Sequence, residues 1–265
     1  MNIAYFVSTT NSYYENTINR LIKEAEISGI PKSDLFFVSS QEKTNNTIVV
    51  NNCSVVKVDY TGIHLTPLIH ISENLLSYNS YSHICLIHST SRIGVNFYKN
   101  LNNYIQNIKK PFDSLPFNKI NHPIQSKDMG LISLDAIRTI KNYLGKIKLK
   151  TWSEKSLLKL KKQLILDENL IFGLRPSIKI DNEANGRSNE QGKLFQPTKF
   201  KLINIGRKLN IKQGIENSED LIIKELKFNN ELLKETYFPT LDLYKYQRTF
   251  QGLKNISMKG DGSIP

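Results

Sequence analysis

From Asn2 to Gly145 the chain alternates short apolar runs with stretches of helical period. NIAYFVST is a strand that ends in hydroxyls at Ser8, Thr9 and Thr10. NSYYENTINRLIKEAEISG then places Ile18, Leu21, Ile22 and Ala25 at helical spacing, with Gly29 as the stop. Pro31 leads into the strand DLFFVSS, and TIVVNNCSVVKVDY supplies one or two further Val-rich runs. TPLIHISENLLSY reads as a helix with Leu68, Ile69, Leu75 and Leu76 on its apolar side, and HICLIHST as the next strand. NFYKNLNNYIQNI is another short helix, closed by Lys110-Pro111. PFDSLPFNKINHPI is punctuated by proline and predicts an irregular loop with at most an edge strand. SKDMGLISLDAIRTIKNYLG gives a polar turn, a short apolar segment and a helix ending at Gly145.

Further along, SEKSLLKLKKQLILDENLIF is strongly helical, with Ser153 as N-cap. DNEANGRSNEQGK reads as a polar loop, SEDLIIKELKFNNELLKETYF as a last amphipathic helix, and NISMKGDGSIP as a tail with little to order it. Strands alternating with helices of this length predict the α/β class, with a mostly parallel, helix-covered central sheet.

In such sheets ligands settle at the carboxyl ends of the strands. HICLIHSTSRIG is the sharpest case: the apolar run Ile84 to Ile87 passes without a spacer into His88, Ser89, Thr90, Ser91 and Arg92. Ser8-Thr9-Thr10 and Asp59-Tyr60-Thr61-Gly62 are two more polar strand ends. Every strand must exit into water, so polarity alone does not define a site. Convergence of these ends in one cleft would.

Net charge changes the picture little. At +12 the chain invites a nucleic-acid partner, because phosphate neutralisation dominates such binding. Its cations are mostly lysines, concentrated at Lys146, Lys148, Lys150, Lys155, Lys159, Lys161 and Lys162. Only Tyr143 and Trp152 interleave them as stacking platforms. Abundant Asn, Ile and Lys are also what AT-rich codons produce, so solvated faces account for most of the basicity, with nucleic acid left as the lesser alternative. The 39% hydrophobic content is that of an ordinary globular protein, and no run approaches the roughly 20 apolar residues of a membrane span. The opening MNIAYFVSTT lacks the basic segment of a secretory signal. Cys53 and Cys85 offer neither a disulfide framework nor metal-ligand spacing, and a reducing cytoplasm is their simplest setting. The sequence carries no G-x-G-x-x-G after the first strand, no P-loop, no G-x-S-x-G elbow and no H-E-x-x-H. His64 and His70, on one predicted helix, are six residues apart, a poor spacing for joint metal ligation.

The order of segments resembles the GT-A-fold glycosyltransferases, the nucleotide-diphospho-sugar transferase superfamily. In particular it is similar to a group whose diagnostic strand ends in a His-x-Thr pattern. FVSTTNSYY, SGIPKSDLFFVSS, NNCSVVKVDYTGIHLTPLIHISENL, HICLIHSTSRIGVNFYKNL and KDMGLISLDAI carry the likeness, over about residues 3 to 140. Each motif is weak by itself; their order is what persuades. The resemblance implies a Rossmann-like nucleotide-sugar-binding half at 1–150, an acceptor-side, helical C-terminal part of the same domain at 151–255, and a flexible tail at 256–265.

It also implies a nucleoside-diphosphate sugar donor and a glycan or other hydroxyl acceptor. Ser8, Thr9, Thr10 and Asp59 would contact the nucleotide, His88, Ser89, Thr90 and Arg92 the diphosphate and sugar, and Asp128, Met129 and Gly130 the acceptor. Tyr13 and Tyr14 would be placed to stack on a base. A GT-A enzyme normally ends the diagnostic strand in Asp-x-Asp, which holds a manganese or magnesium ion against the diphosphate. Here no carboxylate stands there, so metal use is in doubt and Arg92 is placed to supply charge instead. An acid near the acceptor, to take the hydroxyl proton, is offered by Glu168 or Asp167, with Glu219 and Asp220 further along. Asn169 stands where the second acid is expected. Three readings follow: a metal-independent transferase, an inactive binding or assembly module of the same fold, and a nucleic-acid-binding protein using the 146–162 face. Several residues also have plain structural readings. Acids suit a helix start, Asp128 suits a turn and Asp59 suits an Asx-turn.

Overall fold

β1 (Ile3–Thr10) is buried along almost its whole length, and this forces a layer on each of its faces. Ile3, Tyr5 and Val7 point into one apolar layer, Ala4 and Phe6 into the other. The computed structural model describes residues 1–10, 14–108, 112–117, 129–150, 199–204, 232–238 and 240–249. Within them β1 sits near the middle of a seven-stranded mixed sheet of order β3-β4-β2-β1-β5-β8-β7. The other strands are β2 (Leu35–Ser40), β3 (Asn46–Val50), β4 (Cys53–Lys57), β5 (His83–His88), β7 (Ser114–Pro116) and β8 (Gly130–Ser133). β4, β2, β1 and β5 run parallel; β3, β8 and β7 complete the edges antiparallel. β3 and β4 are joined through Asn51 and Asn52, both in the left-handed region that a two-residue hairpin needs.

The helices follow from their apolar stripes. α1 (Tyr14–Ser28) buries Ile18, Leu21, Ile22 and Ala25, and α3 (Phe97–Gln106) buries Phe97, Leu101 and Ile105, both in the layer with Tyr5 and Val7. α1 ends as the glycine predicted: Gly29 has φ +93°, and the Ile30 N–H donates to the Ala25 carbonyl at 2.9 Å. α2 (Thr66–Glu73), α4 (Leu134–Thr139) and α5 (Lys141–Lys146) cover the opposite face. Ser133 caps α4, its hydroxyl accepting from the Ala136 N–H at 3.0 Å. No described helix is long and apolar enough to cross a membrane.

A second sheet, entirely antiparallel, has the order β6-β11-β10-β9, with β6 (Ser91–Ile93), β9 (Lys199–Asn204), β10 (Leu232–Phe238) and β11 (Leu243–Thr249). Phe238, Leu241 and Leu243 carry its apolar side into the layer shared with Ile93 and Phe97. The hairpin is pinned at one point. The Gly94 and Asn96 N–H groups donate to the carbonyl and carboxylate of Asp242, at 2.8 and 3.0 Å.

Three expectations are corrected. The helical C-terminal part is β-structure where it is described. In particular, the last seven residues of the helix expected over 218–238 form β10, because pairing with β9 and β11 on both sides overrides a local Leu/Glu/Lys preference for helix. Leu76 is exposed: α2 ends at Glu73, and a 3-10 turn (Leu75–Tyr78) turns this side chain outward. His64 precedes α2 and does not share a helix with His70. The helices and loop expected over 153–172 and 181–193, and the tail, lie outside the described residues.

Two predictions arise from this packing. A Cβ at position 94 would fall 2.2–2.4 Å from the Asp242 carboxylate and carbonyl, so Gly94→Ala must displace the hairpin. We expect a loss of about 1–3 kcal/mol in urea unfolding, with faster amide exchange in β10 and β11. The second concerns pH. Burial holds His70 down to about 4, where its ring meets the Tyr78 hydroxyl at 2.9 Å, and burial also lowers His83. Both therefore protonate more readily when unfolded than in the native state. The contribution of His70 is complete above the unfolded value of about 6.5 and is lost as pH falls towards 4, and that of His83 has the same sign. His70→Gln should flatten the decline of Tm with pH across that window.

Candidate ligand site at the carboxyl ends of β1 and β5

The chain runs outward from β1 through β2 to β4, then returns to lay β5 on the other side of β1. The order therefore reverses between β1 and β5, and their carboxyl ends flank the crevice where open α/β sheets take ligands. The residues at this point are the hydroxyl and imidazole ends read from the sequence. Ser8 and His88 are register partners, and the Ser89 N–H donates to the Ser8 carbonyl at 2.9 Å. His88, Ser89 and Thr90 are half-buried. Thr9 and Thr10 pair along β2 with Ser39 and Ser40, and the Thr9 hydroxyl is buried with no hydrogen-bond partner among the described residues.

The third polar strand end joins them through its last residues. The Ser8 hydroxyl donates to the Ile63 carbonyl at 3.2 Å. Ile63 has φ +55°, a conformation costly for a β-branched residue. It is held there by the Thr61 hydroxyl, which accepts from the Ile63 N–H at 2.9 Å, and the Thr66 hydroxyl, which donates to its carbonyl at 2.6 Å. The turn delivers His64 onto His88, with ring centroids 5.2 Å apart and planes 29° from parallel. Asp59 stays apart: its N–H donates to the Asn45 side chain at 2.7 Å, at the end of β4, two strands away from β1.

Against the backbone that leaves β5, α1 supplies an ion pair. Arg20 and Glu24 are 4% and 7% exposed, and Arg20 Nη1 lies 3.1 Å from Glu24 Oε2. Charges this deeply buried need full hydrogen bonding to persist. Here the partners are the backbone leaving β5: Arg20 donates to the Ser89 and Ser91 carbonyls, both at 2.9 Å, and Glu24 accepts from the Ile93 N–H at 2.9 Å. On the far side the Tyr246 N–H donates to the Thr90 carbonyl at 3.0 Å. Segment 89–93 is thus gripped from α1 and from the second sheet.

The remaining candidates fall as follows. Arg92 lies in β6 opposite Tyr244, with its guanidinium carbon 3.7 Å from the centre of that ring. Met129 is fully buried, its sulfur accepting from the Ser91 hydroxyl at 3.2 Å, and Gly130 pairs with Leu86 within the sheet. Tyr14 opens α1. Tyr13, Asp128, Asp167, Glu168, Glu219 and Asp220 lie outside the described residues. Of the basic row, Lys148 is turned to the protein: it meets Glu73 at 2.6 Å and covers the Tyr60 ring at 4.1 Å. That leaves less of the row for a nucleic-acid face.

The described donor set does not fit the chelated cation of an Asp-x-Asp site. No group of three or more His, Cys, Asp or Glu among the described residues is placed to hold a metal ion. The second imidazole lies face to face with the first, so their nitrogens do not converge on one point.

Sequence reasoning passed over Arg20, Glu24 and the role of His64. Arg20 and Glu24 did leave a signal, an ion pair at i,i+4 between Thr17, Leu21 and Ser28 on the buried stripe of α1. His64 left none, because its position depends on the unforeseeable φ of Ile63. No protein-family model matches the chain, and no curated protein matches it.

The ion pair generates a prediction. Arg20→Met alone leaves a buried carboxylate uncompensated and should cost about 3–5 kcal/mol in urea unfolding. Arg20→Met with Glu24→Met should recover part of that loss. Equal losses in the single and double variants would show that the two charges do not act as a pair.

Proposed function

We propose that this protein binds a nucleoside-diphosphate ligand at the crevice between β1 and β5. More particularly, we read it as a GT-A-type glycosyltransferase that moves a sugar from such a donor to an acceptor hydroxyl without a chelated metal. The observation that carries this reading is the in-register meeting of Ser8 with His88 where the strand order reverses. The helix-covered parallel block agrees with the fold that the segment order implies. Hydroxyls and imidazoles are concentrated at one end of that block, and Arg92 follows within the next few residues.

In this reading the bond between the anomeric carbon and the diphosphate oxygen breaks, and the acceptor oxygen takes its place on that carbon. The diphosphate leaves with growing negative charge. Imidazole, hydroxyl and guanidinium donors supply the stabilisation that a cation supplies elsewhere. The acceptor proton needs a base, for which Asp167 or Glu168 is the sequence candidate. An inactive binding module of the same fold is the alternative, favoured by the His88-Ser89-Thr90 donor set itself.

Thermal shift with a panel of sugar nucleotides, with and without manganese, tests the reading. At saturating donor we expect at least one to raise Tm by roughly 5 °C. Manganese should add nothing, and His88→Ala should abolish the shift. Slow release of free nucleotide in the presence of acceptor identifies the transferase. Binding without turnover, unaltered by Ser89→Asp, identifies the module. No shift with any sugar nucleotide overturns both.

A further inference from the structure

We infer that the β10–β11 hairpin is part of the ligand site, and that Tyr244 presets Arg92 as a receptor for a phosphoryl group. This deepens the reading above and rests on it for the sugar nucleotide, though not for the anion. Arg92 and Tyr244 are register partners across β6 and β11, and the guanidinium carbon lies over the ring, 3.7 Å from its centre. Tyr237 backs the same ring from β10, its centroid 4.3 Å away and its plane 25° from parallel. The Tyr237 hydroxyl donates to Asp242 at 3.3 Å, and Asp242 is the residue pinned to Gly94 and Asn96 just beyond β6. The stack of guanidinium and two phenol rings is therefore closed into a loop of contacts that returns to the strand bearing Arg92.

What this positioned cation does not have among the described residues is an acceptor. The Arg92 guanidinium makes no hydrogen bond or ion pair with any described residue, and its Nε is buried without a partner. An arginine that only decorated a surface would leave all of its donors in water, Nε included. One that served only the fold would direct them to a carbonyl or carboxylate, as Arg20 does a few residues away. A guanidinium held by its face keeps its in-plane donors aimed outward, and that fork matches two oxygens of a phosphoryl group. Ser89 and Thr90, both half-buried, precede it in the same segment and offer further hydroxyl donors. The geometry therefore favours a phosphoryl oxyanion over a simple halide or a hydrophobic ligand. It also gives two tyrosines, far along the chain from the diagnostic strand, a positioning role.

Calorimetric titration of the full chain with inorganic pyrophosphate, at fixed salt, tests this. Pyrophosphate should bind the wild type. Arg92→Gln and Arg92→Lys should each weaken it at least about tenfold, since an ammonium keeps the charge but not the planar fork. Tyr244→Leu should weaken it comparably, and Tyr244→Phe, which keeps the ring, should bind as the wild type does. If Tyr244→Leu does not fold, the contrast between Arg92→Lys and Tyr244→Phe carries the test. Absence of pyrophosphate binding in the wild type overturns the inference, as does wild-type affinity in Arg92→Gln. A parallel titration with sugar nucleotides separates the two claims. Pyrophosphate bound through Arg92 while every sugar nucleotide is ignored leaves the anion site standing and removes the transferase. A sugar nucleotide bound equally well by wild type and Arg92→Gln does the reverse.

Discussion

Two opposite charges buried side by side on α1 organise the part of the molecule that matters for function. Arg20 and Glu24 have left water, and that desolvation is offset by their attraction to each other and by hydrogen bonding to the backbone between Ser89 and Ile93. That backbone is the exit from β5, the crevice-lining turn and the first strand of the second sheet together. An apolar pair of the same volume could have filled the space under the turn but could not have addressed two carbonyls and an amide by direction. The pair thus fixes where the crevice ends and where the second sheet begins.

Much of the first half was legible from pattern alone, for physical reasons visible in particular residues. β1 and β5 are continuous apolar runs because helices cover both of their faces, and α1 stops at Gly29 because only that residue accepts its dihedral comfortably. The hydroxyls at the end of β1 and His88 at the end of β5 could be singled out as a convergent set because a parallel sheet sends all its carboxyl ends to one side. What pattern could not reveal was longer-range. ELLKETYF has helix-forming composition, and only the strands paired on either side of it make it β10. Met129 and Gly130 looked like acceptor contacts but are enclosed by β5, β7 and Ser91. Arg92 could be singled out as the cation that follows the polar strand end, but its partner Tyr244 could not be anticipated from local sequence.

The turn at Ile63 shows the same limit on a smaller scale. Nothing in GIHLT requires an isoleucine with a positive φ, and the local preference is against it. Three hydroxyls, from Ser8, Thr61 and Thr66, impose that conformation by occupying the amide and carbonyl of one residue. Local strain of this kind is tolerated only when neighbours over-determine it. Here the result is that His64 lies against His88 rather than on the adjoining helix.

The contact between Asn96 and Asp242 spans 146 residues of chain. On a ribosome adding about 5–20 residues per second, β6 waits roughly 7–30 s for its partner strand to be made. During that interval the parallel block can already be folded, while the edge of β6 and the face of Arg92 stand uncovered. The surroundings of β6 are therefore the last region of the described fold to be finished on the ribosome, and premature termination between α5 and β10 would yield a chain that holds every strand of the seven-stranded sheet but leaves β6 without its partner.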